Sequence, residues 1–187
     1  MQANKWKAMA VVAGVMVSAS ASAQATGGGS GPFGNAGQFV ISSDASGNLG
    51  YTTEGSGYGF ISLNPSVDYF LKENLSIGSG VNIAAAFFDG DTQAAFGINA
   101  RVGYNIALSE KVSVWPKGIV TLFVGDNILA TQDGTNRAAT VILEGYAPFL
   151  YHLTSHFFVG AGPRLSVGLG DDVDVTISVG TTVGGYF

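Results

Sequence analysis

From about residue 37 to the last residue, apolar and polar side chains alternate with a period of two, broken by short polar segments. The clearest case is the end of the chain, "VDVTISVGTTVGGYF". There Val175, Ile177, Val179, Thr181, Val183 and Phe187 fall on one side, and Thr176, Ser178, Gly180, Thr182, Gly184 and Tyr186 on the other. A two-residue period is the signature of a strand with two unlike faces. The pattern predicts eight strands, at about 37–45, 57–70, 75–88, 94–108, 112–125, 138–152, 156–169 and 173–187. Beyond residue 36 no apolar run reaches the ~18 residues of a membrane helix.

The connections are of two kinds. "LKEN" (71–74), "SEK" (109–111) and "LTSH" (153–156) are tight turns. "ASGNLGYTTEG", "DGDTQ", "DNILATQDGTNR" and "GDDV" are more acidic and mostly longer. Short turns at one end and longer loops at the other are the asymmetry of an up-and-down barrel in an outer membrane, with the turns on the periplasmic side. An even number of strands puts both chain ends on that side.

One face of the predicted strands is aliphatic: Ile61, Leu63, Val67, Ile77, Val81, Ile83, Ile98, Val102, Val120, Leu122, Leu143, Val159, Leu165 and Val167 belong to it. The other carries Ser62, Asn64, Ser66, Asp68, Ser76, Gly78, Gly80, Asn82, Gly97, Asn99, Arg101, Gly103, Asn105, Lys117, Thr121, Glu144, Gly160, Gly162, Arg164 and Ser166. A soluble barrel points its apolar face inward, and a membrane barrel points it outward. A water-exposed face would be rich in Lys and Glu, whereas this polar face is mostly Gly, Ser, Asn and Thr. Small polar residues suit the narrow centre of eight strands. The expected fold is therefore all-β: an eight-stranded antiparallel up-and-down transmembrane β-barrel with a polar, packed lumen. In hydrocarbon an unpaired strand edge costs several kcal/mol per group, so the last strand must close on the first. Tyr69, Tyr104, Phe149, Tyr151, Phe157 and Phe187 near the tight turns would form a periplasmic girdle, with Phe87 and Phe96 near the opposite boundary. Pro65, Pro116, Pro148 and Pro163 fall inside predicted strands, where a closed barrel offers no edge, and call for bulges or gaps.

Composition agrees. Charged residues make up only 11% of the chain, against roughly 25% in soluble domains. There is no cysteine, which excludes disulfides, thiolate metal sites and a lipid-anchored N-terminal Cys. The first 23 residues read as a signal peptide: Lys5 and Lys7, the apolar stretch Ala8 to Val17, and the small-x-small site Ala21-Ser22-Ala23. Residues 24–36 are a flexible Gly-rich lead, and 37–187 form the barrel. The net charge of −5 becomes more negative once Lys5 and Lys7 are removed, and nucleic acid is not an expected partner.

The stretch "LNPSVDYFLKENLSIGSGVN" resembles the small outer-membrane β-barrel domain family, the eight-stranded barrels of the outer membrane protein A and X type. Pro65, Tyr69, Phe70, Asn74, Leu75 and Gly78 match its hairpin pattern, and Asp68 stands where Gly is common. "GYAPFLYHLTSHFFVGAGPRLSVG" repeats the logic with Pro148, Phe149 and Tyr151. The resemblance implies an outer-membrane location, contact with membrane lipid and lipopolysaccharide, and a C-terminal signal for the barrel assembly machinery in Val183, Tyr186 and Phe187. It leaves the task open, since this fold hosts adhesins, enzymes and channels.

Five charged residues fall on the inward face: Asp68, Arg101, Lys117, Glu144 and Arg164. The last four are at similar depth, and Glu144 nearly faces Arg164 across the 153–156 turn. Buried charges must pair, so a structural ion-pair network is expected, with a gate or narrow solute path as the alternative. His152 and His156 flank one tight turn, with Ser155 beside His156. A catalytic base needs geometry as well as proximity, so neither catalysis nor a cofactor is expected. Glu54, Asp89, Asp91, Asp126, Asp133, Asp171 and Asp172 give the longer loops an acidic rim, with Arg137 almost alone against them. The leading expectation is a monomeric, non-enzymatic barrel serving envelope structure or surface interaction; a narrow channel comes second and a lipid A-modifying enzyme third.

Overall fold

The computed structural model describes residues 32–51, 57–88, 91–124, 141–169 and 173–187. The signal segment, residues 24–31, Glu54, Asp89, Asp126, Asp133, Arg137, Asp171 and Asp172 lie outside them, as do the side chains of Phe87 and Asp91. Eleven strand segments are described: β1 Phe39–Tyr51, β2 Gly57–Lys72, β3 Leu75–Phe88, β4 Asp91–Tyr104, β5 Ile106–Ala107, β6 Val112–Val114, β7 Lys117–Val124, β8 Val141–Tyr146, β9 Phe149–Thr154, β10 Phe157–Leu169 and β11 Val173–Tyr186. All pairings among the described strands are antiparallel, and β11 pairs with both β10 and β1, which closes the ring.

The eleven segments are eight staves. β4 and β5 continue one another, as do β6 and β7, and β8 and β9. Ile106 pairs with Val114, in step with Gly103 and Lys117. Val114 pairs with Phe149, in step with Lys117 and Tyr146. Between these joined segments the chain leaves the ladder at Asn105, Trp115-Pro116 and Ala147-Pro148, and re-enters it without a slip. The predicted strands thus stand as eight staves, with the first reaching further than expected. β1 runs to Tyr51, which pairs with Gly57 across a stretch assigned from sequence to a loop. Gly, Asn and Ser are poor strand formers, and it is the β2 partner that extends the ladder there.

The prolines sit at gaps rather than bulges. Pro116 and Pro148 lie in the two wall breaks, and Ala147 N–H donates to Pro163 O at 3.1 Å across one of them. Asn64 and Pro65 drop out of the β2–β3 ladder between Leu63 with Ile83 and Ser66 with Gly80. Register shifts fall instead beside two tight turns, at Phe70/Lys72 and Phe157/Phe158. The Glu73-Asn74 turn is a two-residue hairpin loop in which Asn74 takes φ +66°.

The two faces are separated as the alternation requires. Ile77, Val102, Leu143 and Val179 are exposed on the outer wall, and Ile177 is 80% accessible. Ser42, Ser62, Asn64, Ser66, Ser76, Asn82, Asn99, Arg101, Lys117, Thr121 and Arg164 are buried inside. Phe39, Tyr69, Tyr104, Phe149 and Tyr151 are exposed near the tight-turn end, Phe157 and Phe187 are half-buried there, and Phe96 is exposed further up the wall.

Candidate functional site

The interior has two layers, and the parity of the strands builds both. At the tight-turn end the inward positions are large. Phe70 on β2, Trp115 between β6 and β7, Leu150 on β9, Phe158 on β10 and Tyr186 on β11 form one cluster with Val40 and Phe33. Phe70 and Trp115 stack at 6.2 Å, as Phe158 and Tyr186 do at 6.4 Å. The sequence reading anticipated a lumen of small polar groups and did not foresee this aromatic floor. Three of its wall residues lie in phase with an inward residue already assigned: Phe70 two after Asp68, Trp115 two before Lys117, Phe158 two before Gly160.

Above the floor lies the charge layer, centred on Asp44. Lys117 Nζ donates to both carboxylate oxygens of Asp44, at 2.9 and 2.8 Å. Arg101 Nη1 donates to Asp44 Oδ2 at 3.1 Å and to Ser66 Oγ at 2.8 Å. Its Nη2 donates to Asn64 Oδ1 at 2.9 Å, and both Nε and Nη2 donate to Asn99 Oδ1 at 3.2 Å. Asn99 Nδ2 in turn donates to Asn64 Oδ1 at 2.8 Å. Every nitrogen of the guanidinium is therefore used. Arg101 Nη1 is also 3.9 Å from Asp68 Oδ2, although neither Asp68 oxygen accepts a hydrogen bond among the described residues.

Of the five charged residues expected inside, Asp68, Arg101 and Lys117 meet in this cluster, while Glu144 and Arg164 form a separate pair. Arg164 Nη1 donates to Glu144 Oε1 at 3.4 Å, and Ser166 Oγ donates to the same oxygen at 3.1 Å. The direct partner of Arg164 across the ladder is Tyr146, and that of Glu144 is Ser166, so the pair meets on a diagonal. The Tyr146 ring joins the two groups: Lys117 Nζ lies 4.9 Å and the Arg164 guanidinium 4.6 Å from its centroid. Lys117 Nζ is also 4.5 Å from the Trp115 ring below. A cation held over aromatic faces gains attraction from the ring quadrupole. Asp44, the acceptor for both central cations, was not singled out from the sequence.

No family model matches the sequence, and no curated protein matches it. A solved structure does match: the N-terminal β-barrel domain of Pseudomonas aeruginosa OprF, at a TM-score of 0.54 and 16% identity. The alignment covers 81% of this chain and 98% of that one. The two share a fold. The eight-stranded closed barrel expected from the alternation is thus the observed one, with a solved counterpart.

The histidines behave differently from their sequence setting. Ser155 is exposed in its turn, and His156 Nδ1 lies 3.1 Å from Tyr186 O. The serine that meets a histidine is Ser113, whose Oγ is 3.0 Å from His152 Nε2. Ser113 is buried, and His152 Nδ1 has no hydrogen-bond partner among the described residues. A Ser–His pair works as a nucleophile when a third group orients the base and substrate can reach it. Here the pair packs against the aromatic floor, with His152 5.3 Å from Phe33 and 5.8 Å from Tyr186. Among the described residues no group of His, Cys, Asp and Glu is placed to hold a metal ion. Of the C-terminal residues, Val183 and Phe187 are half-buried and Tyr186 points into the floor. Phe187 N–H donates to Phe39 O at 2.9 Å and Phe39 N–H to Phe187 O at 3.0 Å, so the last residue is part of the seam.

Proposed function

We propose that this chain is an integral outer-membrane β-barrel without enzymatic activity, serving envelope structure or surface interaction, with a lumen closed by its own side chains. The observation that carries the reading is the sorting of the two faces: a closed wall with exposed aliphatics outside and a paired charge layer inside. Water offers no reason to turn Ile177, Val179 and Val102 outward around a buried Asp44–Lys117 pair, whereas hydrocarbon does. Residues 1–23 act as a cleaved signal peptide, lipid and lipopolysaccharide contact the wall, and Val183, Tyr186 and Phe187 present the assembly signal. In this reading the barrel closes within one chain, β11 pairing with β1, and works as a monomer. Two measurements test this. The protein should fractionate with outer membranes, and its gel mobility should change on boiling; recovery in the soluble periplasmic fraction would overturn the reading.

A narrow channel for small solutes is the second reading. It is favoured by the looser upper pair and by polar atoms that the side chains leave unmatched. Arg164 Nε and Nη2, Glu144 Oε2, Thr121 Oγ1 and Tyr146 Oη are buried without a hydrogen-bond partner among the described residues. Buried polar groups are otherwise nearly always bonded, and groups of this kind line water paths. Planar-bilayer recording separates the two: stable single-channel steps favour the channel, and an electrically silent barrel favours the closed form.

A further inference from the structure

Phe33 precedes β1 and belongs to no strand, yet it is the central ring of the aromatic floor. Its centroid is 5.1–5.3 Å from five others: Phe70, Trp115, His152, Phe158 and Tyr186. β2, which carries Phe70, and β9, which carries His152, are four staves apart in a ring of eight. A ring touched from opposite walls lies on the barrel axis. The peptide that carries it folds back into the mouth through two glycines in the left-handed region, Gly34 at φ +107° and Gly37 at φ +89°, a conformation that costs glycine little.

The docking is specific. Gly34 and Asn35 N–H donate to Gln38 Oε1 at 2.9 and 3.1 Å, and Gln38 Nε2 donates back to Pro32 O at 3.0 Å. Asn105 Nδ2 donates to Phe33 O at 2.9 Å, and Asn74 N–H donates to Gly34 O at 2.7 Å. A Cβ on Gly34 would fall 2.7 Å from Asn74 Oδ1 and 2.8 Å from Asn105 Nδ2. Two groups of the wall are thus committed to holding this segment: Asn105, at the point where β4 leaves the ladder, and Asn74, in its turn. Phe33 packs on Trp115, and on the lumen side the ammonium of Lys117 lies 4.5 Å from the Trp115 ring.

We propose that residues 32–38 are a self-docked plug that seals the tight-turn mouth of the lumen, and that withdrawal of the Phe33 side chain, with the strands remaining in register, is what opens the lower lumen to water. Gly37 N–H donates to Phe70 O at 2.8 Å and Phe70 N–H to Gln38 O at 3.0 Å, so the plug is anchored on β2 at its last two residues. Pro32–Ala36, held by one ring and a few turn hydrogen bonds, can swing away from that anchor without breaking a strand pair. The strands themselves cannot part so easily. The plug is therefore the movable part of the closure, and the ion-pair layer above it is the fixed part.

The inference rests on the barrel reading given above, and the chain's lack of cysteine allows the two to be tested apart. Ser113→Cys places a single thiol at a buried inward position of the floor. In the full-length purified protein, a charged maleimide should modify it slowly. Adding Phe33→Ala should raise the rate by about tenfold or more, as expected when a locally closed region becomes open. Phe33→Leu, which keeps an apolar filler, should leave it slow. All three proteins should retain a gel mobility that changes on boiling, which reports the barrel itself. Equal labelling rates with and without Phe33→Ala, in proteins that keep this property, would overturn the plug alone. A parent protein that lacks it would overturn the barrel reading instead.

Discussion

Asp44 and Lys117, 73 residues apart in the chain, meet through both carboxylate oxygens at 2.9 and 2.8 Å. Arg101 joins the same carboxylate at 3.1 Å. Removing the shared anion leaves two buried cations facing one another. Asp44→Ala should therefore lower stability by about 3–5 kcal/mol, the cost of breaking a buried pair. Asp68→Asn, which alters a carboxylate 3.9 Å from Arg101 with no hydrogen bonds of its own, should cost much less. The temperature at which the folded gel band disappears measures both.

Removing both partners of the central pair should be milder than removing one. In Lys117→Met the apolar side chain can occupy the space over Trp115 and Tyr146. Combined with Asp44→Asn, it should lose less stability than the two single changes added together. A coupling of about 0.5–3 kcal/mol is usual for residues in one network. Urea titration of the folded band provides the cycle.

The outer wall offers a test of its surroundings. Val102 is half-exposed and its neighbours across the ladder are Ile77 and Gly118. Val102→Arg on a lipid-facing wall, one outward step from the Tyr104 girdle, should cost about 1–3 kcal/mol, less than at the bilayer midplane. On a water-facing wall a surface change of this kind stays within about 0.5 kcal/mol. Folding titrations into lipid vesicles distinguish the two values.

Gly162 has room for no side chain. A Cβ there would collide with Ala147 O and sit 2.7 Å from Pro148 Cα. Gly162→Ala must push apart β10 and the break between β8 and β9. It should reduce the yield of folded barrel far more than Gly145→Ala, where nothing lies within 4 Å of the added carbon. Quantifying folded and unfolded bands after identical refolding is sufficient.

At the C-terminus, backbone and side chain can be tested separately. Phe187→Ala keeps the two hydrogen bonds to Phe39 and removes only the aromatic group, so it should slow insertion by the assembly machinery while leaving refolding of the purified protein almost unchanged. Deletion of Phe187 removes the seam bonds too and should impair both. Assembly assays with and without the machinery report the difference.

The alternation was sufficient for the strands and the sidedness of the wall, because those residues sit in runs where polar and apolar positions contrast. Asp44 lay hidden because its neighbours, Ser42, Ser43, Ala45 and Ser46, offer no such contrast. The aromatic floor was legible in principle, since Phe70, Leu150 and Phe158 keep the parity of the polar face; their hydrophobicity argued for the outside, and parity prevailed. Phe33 had no signal at all. It lies in a Gly-rich stretch without a period, and only the turn geometry of Gly34 and Gly37 brings it to the axis. The pairing of Ser113 with His152 was equally unreadable, because it joins β6 to β9 across 39 residues.

The wall breaks have a mechanical consequence. Pro116 and Pro148 interrupt neighbouring staves at nearly the height of Pro163 in β10, where Ala147 N–H reaches Pro163 O and Trp115 N–H reaches Pro148 O. Proline supplies no N–H, so the missing donors are gathered into one belt instead of being scattered along the cylinder. That belt is where the tube should flex first under lateral pressure, and its amides should exchange with deuterium ahead of those on β2 and β3.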